Sequence, residues 1–151
     1  MKKQLQKLKN INCFKLHPKA ILPSYSHSTD AGMDLYSCEE VVLSPGEWKK
    51  IGCGFQLEIP AGYLGAVAPR SGLALKNGVT VLNTWGVIDS GYRGEICVIL
   101  INHGYNIVVL PEQSRIAQLL ILPYEKVNLV ETSSALSDSE RGQGGFGSTG
   151  I

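Results

Sequence analysis

The chain has 151 residues and a net charge of only +1, so it is long enough for one domain with a buried core. The balanced charge gives no bulk attraction to nucleic acid or to a membrane surface. No apolar run reaches the ~20 residues that a membrane-spanning helix needs. The lysine-rich N-terminus lacks the apolar core of a signal peptide, and we expect a frayed lead-in there.

The four cysteines bear on metal binding and on the cellular compartment. Cys13, Cys38, Cys53 and Cys97 form no C-x-x-C pair, and the three histidines lie apart from them, which argues against a zinc site. Each cysteine lies in or beside an apolar strand pattern, so we expect reduced thiols in the core. Together with the missing signal peptide, this indicates a cytoplasmic protein.

The first half of the chain reads as short strands separated by turns. Strands are predicted at residues 11–16, 31–37, 41–43, 49–53 and 63–68. Residues 54–59 alternate apolar and polar side chains, which predicts a half-buried strand with one wet face.

Residues 69–77 predict the only helix. Ser71 is expected to be its N-cap, and Gly78 lies where the helix should end. Arg70, Ser71 and Gly72 also form a candidate anion site, because the first amides of a helix are unpaired and a guanidinium binds phosphate through two donors. An exposed arginine beside an ordinary helix start is the alternative.

The second half contains a β-hairpin with unusual chemistry. Strands are predicted at residues 79–82, 96–101, 107–110, 116–122 and 127–130. The first two flank residues 83–95, which contain turn residues but also Asp89 and Tyr92. Either the turn aims one carboxylate at a ligand, or Asp89 only caps the turn. Many short strands with Gly/Pro turns and one small helix predict an all-β fold, a distorted jelly-roll β-barrel.

The composition changes after Glu131. A polar linker leads into a glycine-rich end that contains Arg141 and a single aromatic residue, Phe146. A disordered tail is one interpretation. A lid that orders over a ligand is the other, since glycine amides and Arg141 suit phosphates and Phe146 suits stacking on a base. We therefore divide the chain into a β-barrel domain, residues 1–131, and a flexible C-terminal lid, residues 132–151.

Five segments follow one another along the chain: AGMDL (31–35), PRSGLA (69–74), GVID with YRG (86–89 and 92–94), RIAQL (115–119) and RGQGGFGS (141–148). This series closely resembles the five motifs of the homotrimeric deoxyuridine triphosphatases (dUTP diphosphatases), over nearly the whole chain. The resemblance implies a hydrolase that converts dUTP to dUMP and pyrophosphate with Mg²⁺. Such an enzyme lowers dUTP and supplies dUMP for thymidylate synthesis.

The resemblance implies two groups of substrate-binding residues. The first contacts the triphosphate: Arg70, Ser71, Gly72, Gln118, Arg141, Gly147 and Ser148. The second surrounds the nucleoside: Asn83, Val87, Ile88, Tyr92, Cys97 and Phe146. Asn83 offers donors and an acceptor to a pyrimidine edge, and the Tyr92 ring packs against the deoxyribose. A tight hairpin centred near Ser90 would place Cys97 opposite Asn83.

The implied chemistry involves one carboxylate and one metal ion. Asp89 corresponds to the family's general base, which activates the water that attacks the α-phosphate. Asp34 and Gln118 are implied to reach a Mg²⁺ ion through water, and the triphosphate chelates that ion. The family builds each active site from three subunits: the phosphate motifs from one chain, the hairpin from a second and the tail from a third.

Two positions depart from the common pattern of the family. Trp85 stands where proline is usual and Gly91 where a larger residue is frequent, so we expect a less rigid hairpin. The nearest rival enzyme, dCTP deaminase, needs a glutamate where this chain has Ile99. A zinc deaminase is excluded because this chain lacks the set of zinc ligands that such an enzyme needs. A non-catalytic nucleotide-binding protein is the rival from another class, and the intact catalytic and tail residues argue against it.

Overall fold

The computed structural model describes residues 10–146 and residue 148. Within that part the chain forms eleven strands and one helix, and all strand pairs are antiparallel. The strands are β1 (Asn12–Lys15), β2 (Met33–Tyr36), β3 (Val41–Leu43), β4 (Trp48–Gly52), β5 (Phe55–Glu58), β6 (Tyr63–Ala68), β7 (Val79–Val81), β8 (Gly86–Ile88), β9 (Cys97–Asn102), β10 (Val108–Leu110) and β11 (Arg115–Pro123). The helix is α1 (Ser71–Asn77). The prediction of an all-β chain with one short helix is confirmed for the described residues.

Two larger sheets carry most of the architecture. One has the strand order β2-β11-β6-β8 and the other β4-β9-β7, while β1 pairs with β5 and β3 with β10. One buried apolar cluster joins strands from these sheets, and its fully buried members include Leu35, Phe55, Leu100 and Leu119. Burial of such side chains is the main favourable term in folding. This cluster therefore holds in place the strands that carry the candidate site residues.

The alternation predicted for residues 54–59 is present. Phe55 and Leu57 in β5 are buried, whereas Gln56 is half-buried and Glu58 is exposed. The predicted helix stop is also present, since Gly78 has φ 69° and ends α1 in the left-handed conformation that glycine adopts most easily.

Three of the predictions about strands, cysteines and the helix cap are wrong. Residues 127–130 form no strand, and Val127, Leu129 and Val130 are each 75% or more exposed, because no edge within the described chain pairs with them. The cysteines are all free, but only Cys53 is buried, and Cys13 is exposed because β1 is exposed along its whole length. Ser71 is not the N-cap of α1; that position belongs to Arg70.

No helix in the described part of the chain combines the length and apolar character that crossing a bilayer requires.

Candidate active site

Three neighbouring strands bring the first group of polar residues together. Gln118 in β11 lies directly opposite Asp34 in β2 and, on its other side, opposite Ala68 at the end of β6. Residues opposite each other in a sheet project from the same face, so Asp34 and Gln118 share one face. Arg70 follows two residues after Ala68. These residues line a cleft of about 550 Å³ together with Ser26, His27, Asp30, Ala31, Gly32, Ser71, Gly72, Trp85, Arg115 and Leu120. We call it the cationic cleft.

The Asp34 carboxylate organises the positive charge of the cationic cleft. Its Oδ1 lies 3.1 Å from Nε of Arg70, and its Oδ2 lies 3.3 Å from Nη1 of Arg115. Ser26 donates its hydroxyl proton to Oδ2 at 3.0 Å. The Asp34 side chain is only 12% exposed, whereas that of Arg115 is 49% exposed. This largely buried anion therefore holds two guanidinium groups. Arg70 Nη1 also donates to the carbonyl of Arg115 at 3.2 Å, and the donors left over on the two side chains are available to an anionic ligand.

Gln118 is held at the edge of the same cleft. Its Nε2 donates to the carbonyl of Pro69 at 2.9 Å. A Cβ atom at Gly32 would lie 2.6 Å from Gln118 Oε1, so glycine is required there for the amide to keep its place. The tie to Pro69 links β11 to the start of α1, where Ser71 and Gly72 are exposed.

Arg115 is a residue that the sequence reasoning did not assign to the site. Strict alternation would put residues 115 and 118 on opposite faces of β11. The register shifts between Arg115 and Ala117, however, so Arg115 lies opposite Tyr36 and shares the face of Asp34. The only sequence signal was its place at the head of the RIAQL segment, because a β-bulge has no simple sequence signature.

The expected magnesium ligands suit an ion that brings its other ligands with it. Within the described residues no three His, Cys, Asp or Glu side chains cluster as a metal site. Asp34 and Gln118 supply oxygen atoms on one face, and Mg²⁺ usually completes its shell with waters and substrate phosphates. The donor set therefore fits water-mediated contact with a nucleotide-bound ion.

The second group of residues lines a smaller pocket formed around the hairpin. This pocket has a volume of about 170 Å³ and is lined by Val67, Asn83, Gly86, Val87, Ile88, Asp89, Tyr92, Glu95, Ile96 and Cys97. Asn83, Val87, Asp89 and Tyr92 are exposed within it, and Cys97 is half-buried. We call it the hairpin pocket.

The hairpin differs from the tight one that was predicted. Its outer arms pair as expected, with Val81 opposite Leu100 in β7 and β9. The chain between them, however, leaves this sheet, and β8 pairs with β6 in the other sheet. Cys97 consequently lies opposite Gly52 in β4 and not opposite Asn83. The prediction of direct pairing between Asn83 and Cys97 is wrong, although both residues line the hairpin pocket.

Asp89 is not a turn cap in this structure. The turn is closed by a backbone bond, in which the N–H of Tyr92 donates to the carbonyl of Asp89 at 3.0 Å. Within residues 10–146 no hydrogen bond or ion pair engages the Asp89 carboxylate. The Tyr92 hydroxyl donates to the carbonyl of Glu95 at 3.0 Å, which fixes the ring across the loop. The carboxylate, on an exposed residue that lines the hairpin pocket, is left available.

The Cys97 thiol is the one sulfur atom of this pocket. Burial raises the pKa of the Cys97 thiol, and the nearby Glu95 carboxylate raises it further, while Lys50 acts in the opposite direction. At neutral pH the side chain is therefore an uncharged thiol and a weak nucleophile.

The tail residues lie apart from both pockets. Arg141 Nε donates to the carbonyl of Gly144 at 2.9 Å, and Phe146 and Ser148 are exposed. None of the three lines either cleft of its own chain. Gly147, another predicted phosphate contact, lies outside the described residues.

The two pockets together define a class of protein. A cleft with two oriented guanidinium groups suits phosphates. A small pocket with an amide, strand backbone and an available carboxylate suits a planar base next to a hydrolytic centre. An antiparallel β protein with this pair of pockets belongs among the nucleotide-binding hydrolases.

Comparisons with known proteins identify the family. The family model described as dUTPase matches residues 18–150. A deoxyuridine 5'-triphosphate nucleotidohydrolase from Clostridioides difficile is 55% identical over 142 residues, which cover 94% of this chain and 99% of that relative. A relative of the same name from Crocosphaera subtropica is 52% identical over 141 residues, with coverages of 93% and 99%. The chain belongs to the dUTPase family, and the prediction of a dUTP diphosphatase is confirmed.

Solved structures agree with this assignment. A dUTPase of Staphylococcus bacteriophage 80alpha with dUpNHpp superimposes with a TM-score of 0.88 at 30% identity and covers 95% of this chain and 100% of its own. A mutant dUTPase from phage phi11 of S. aureus, described with a structural Mg(II) ion, has a TM-score of 0.78 at 27% identity, with coverages of 83% and 98%. The jelly-roll type of the predicted fold is thereby confirmed.

Proposed function

We propose that the chain hydrolyses dUTP to dUMP and pyrophosphate by attack of a water molecule on the α-phosphate, with Asp89 as the general base. One observation carries the proposal: the Asp89 carboxylate is unengaged among the residues that line a base-sized pocket, on a chain that also has a cleft with two oriented guanidinium groups. The same reaction lowers dUTP and supplies dUMP for thymidylate synthesis.

The hairpin pocket is proposed to bind the deoxyuridine part of the substrate. The Asn83 amide and backbone groups at Val87, Ile88 and Cys97 offer the donors and acceptors that a uracil edge requires. The Tyr92 ring, tied through its hydroxyl to Glu95, lies against the deoxyribose and excludes a 2′-hydroxyl.

The cationic cleft is proposed to bind the triphosphate. Arg70 and Arg115 face the charge of the phosphates, Ser71 and Gly72 offer a hydroxyl and backbone at the start of α1, and Gln118 offers its amide. Tail residues from another subunit complete the site: Arg141, Gly147 and Ser148 on phosphate and Phe146 stacked on uracil. Asp34 and Gln118 would hold Mg²⁺ through water, and the ion would neutralise part of the charge of the triphosphate.

The proposed step balances as a simple hydrolysis. Asp89 accepts a proton from water as the water oxygen forms a bond to the α-phosphorus. The bond from the α-phosphorus to the bridging oxygen breaks, and pyrophosphate leaves with the electron pair. Asp89 then releases its proton to solvent.

The active unit is proposed to be a homotrimer with shared sites. The support from this chain is that the described tail residues contact neither of its own pockets. A tail that serves a neighbouring subunit explains this separation.

A product assay tests the proposal. The protein is incubated with Mg²⁺ and, separately, with dUTP, dCTP, dTTP and UTP, and the products are identified. We expect dUMP and pyrophosphate from dUTP and little turnover of the other three nucleotides. Formation of dUTP from dCTP would indicate a deaminase, and absence of any product would indicate a non-catalytic nucleotide-binding protein.

A further inference from the structure

The solvent-facing side of β5 contacts the loop that carries Asp89. We call residues 89–95 the tip loop. The Gly54 N–H, just before β5, donates to Oε1 of Glu95 at 2.8 Å. The Gln56 side chain donates to the carbonyl of Arg93, and Glu58 Oε1 lies 3.3 Å from Nη2 of Arg93. The backbone of Gly54 and the side chains of Gln56 and Glu58 therefore attach to the second half of the tip loop.

The Arg93 side chain also bonds to the backbone on both sides of Gly91, one of the two glycines of that loop. Its Nη1 donates to the carbonyl of Ser90 at 2.8 Å and to that of Tyr92 at 2.9 Å. These two carbonyls flank Gly91, which has the widest backbone freedom of any residue type. One guanidinium group thus restrains the backbone on both sides of Gly91, immediately after Asp89.

Glu58 is itself held from the other side. Asn12 in β1 donates its amide to Glu58 Oε2 at 2.8 Å. This hydrogen bond, and then the charge of Arg93, lower the pKa of the Glu58 carboxyl, so it is an anion at neutral pH. A polar chain therefore runs from β1 through β5 to the tip loop.

We propose that Arg93 and Glu58 are positioning residues of the hydrolysis, which hold the tip loop so that Asp89 and Tyr92 are aimed at the substrate. The proposal rests on the function proposed above. The two side chains are 52% and 53% exposed, and exposed ion pairs add little to stability, so the pair has its effect on geometry and not on folding. The restraint replaces the rigidity that Gly91 removes.

Kinetics of Arg93→Ala and Glu58→Ala test this. We expect kcat for dUTP to fall about tenfold in each variant, since small misplacements of a reacting group cost this much or more. The ratio of kcat/KM for UTP to that for dUTP should rise severalfold, because Tyr92 loses its backbone restraint. The thermal midpoint should stay at the wild-type value. Glu112→Ala, which removes the similarly exposed ion pair with Lys19, is the matched control and should leave all three quantities unchanged.

A second-site variant keeps the test decisive. A Cβ at Gly91 would meet no atom within 4 Å, so alanine fits there and narrows the backbone freedom. Adding Gly91→Ala to Arg93→Ala should therefore restore part of kcat. The proposal would be overturned if both single variants kept the wild-type kcat and the wild-type ratio of kcat/KM for UTP to that for dUTP. It would also be overturned if activity fell only in proportion to a fall in the thermal midpoint. A wild-type protein without dUTP turnover in the same assay would instead overturn the proposed function.

Discussion

At the residue scale, Asp89 differs from Asp34 in what surrounds it. The Asp34 carboxylate is almost buried and holds two guanidinium groups, whereas the Asp89 carboxylate is exposed and has no partner among the described residues. The oxygen atoms of a carboxylate that is already bonded to two guanidinium groups and a hydroxyl are occupied, whereas an unpaired carboxylate can accept a hydrogen bond from a water molecule. This difference is the physical reason to give the two aspartates different roles.

Asp89→Asn should keep the fold and the nucleotide affinity but lower kcat by about 10²- to 10⁴-fold, the usual effect of losing a general base. Asparagine has nearly the same shape but cannot accept the proton. The measurement is kcat for dUTP together with the affinity for dUpNHpp. Hydrolysis at a near wild-type rate would show that Asp89 is not the base.

Tyr92→Ala should raise UTP turnover relative to dUTP. The ring is held against the loop by its hydroxyl bond to Glu95, and its removal opens space where the 2′-hydroxyl of a ribonucleotide would lie. Competition between the two nucleotides measures the ratio directly. If that ratio does not change, another group excludes the 2′-hydroxyl.

Cys97 should react slowly with iodoacetamide at neutral pH and faster as the pH rises. Its thiol pKa is raised by burial and by Glu95, so the reactive thiolate is scarce until the pH exceeds the ordinary thiol range. Partial burial also raises the pKa of the exposed Cys13 thiol, so Cys13 serves as the internal reference for protection by nucleotide and not for the pH dependence. Peptide mass spectrometry with and without dUpNHpp should show protection of Cys97 alone. Equal labelling in the presence of the analogue would place Cys97 outside the nucleotide site.

At the element scale, local sequence patterns predicted local structure correctly. They failed where contacts between residues far apart in sequence determine strand pairing. The alternation in β5 and the glycine after α1 are local signals, and both predictions held. The departure of β8 from the hairpin to pair with β6 depends on close packing between Gly86 and Val67, which no short window reveals. The bulge in β11 that turns Arg115 toward Asp34 is likewise decided by the partner strand.

The tail is the element whose function depends most on a ligand. Fixing each residue costs about 1–2 kcal/mol of backbone entropy, and stacking of Phe146 on a base returns about 1–3 kcal/mol. Deletion of residues 141–151 should therefore leave the assembly and the thermal midpoint nearly intact while turnover collapses. Phe146→Ala should cause part of the same loss, and Phe146→Trp should retain activity and report nucleotide binding by fluorescence. Full activity in the deleted protein would contradict a lid.

At the scale of the whole molecule, the proposed active site needs parts from different chains and an ion that arrives with the substrate. The described part of the tail lines neither pocket of its own chain, and no cluster within the described residues provides a full set of protein ligands for a metal. The sequence motifs identified the tail and the pocket residues, but only the folded chain shows that the described tail lies apart from the two pockets.

Mixing two inactive variants tests the sharing of sites. Co-expression of Asp89→Asn chains with chains that lack residues 141–151 should restore turnover, because some sites then combine an intact hairpin with an intact tail. Each variant expressed alone provides the baseline. A mixed sample as inactive as its components would mean that each site is built within one chain.

Magnesium should bind weakly to the free protein and more tightly in the presence of dUpNHpp, since Asp34 and Gln118 are expected to contact the ion through water while phosphates supply its inner ligands. Calorimetric titration with and without the analogue measures the difference. Tight binding of one ion per chain without nucleotide would contradict this expectation.

The most direct test of the central claim is hydrolysis of dUTP in water enriched in the heavy oxygen isotope, followed by mass spectrometry of both products. Attack at the α-phosphorus by a water molecule activated by Asp89 predicts that the label is found in dUMP and that pyrophosphate is unlabelled. Label in pyrophosphate, or release of inorganic phosphate in place of pyrophosphate, would show that the bond broken is a different one and would contradict the mechanism.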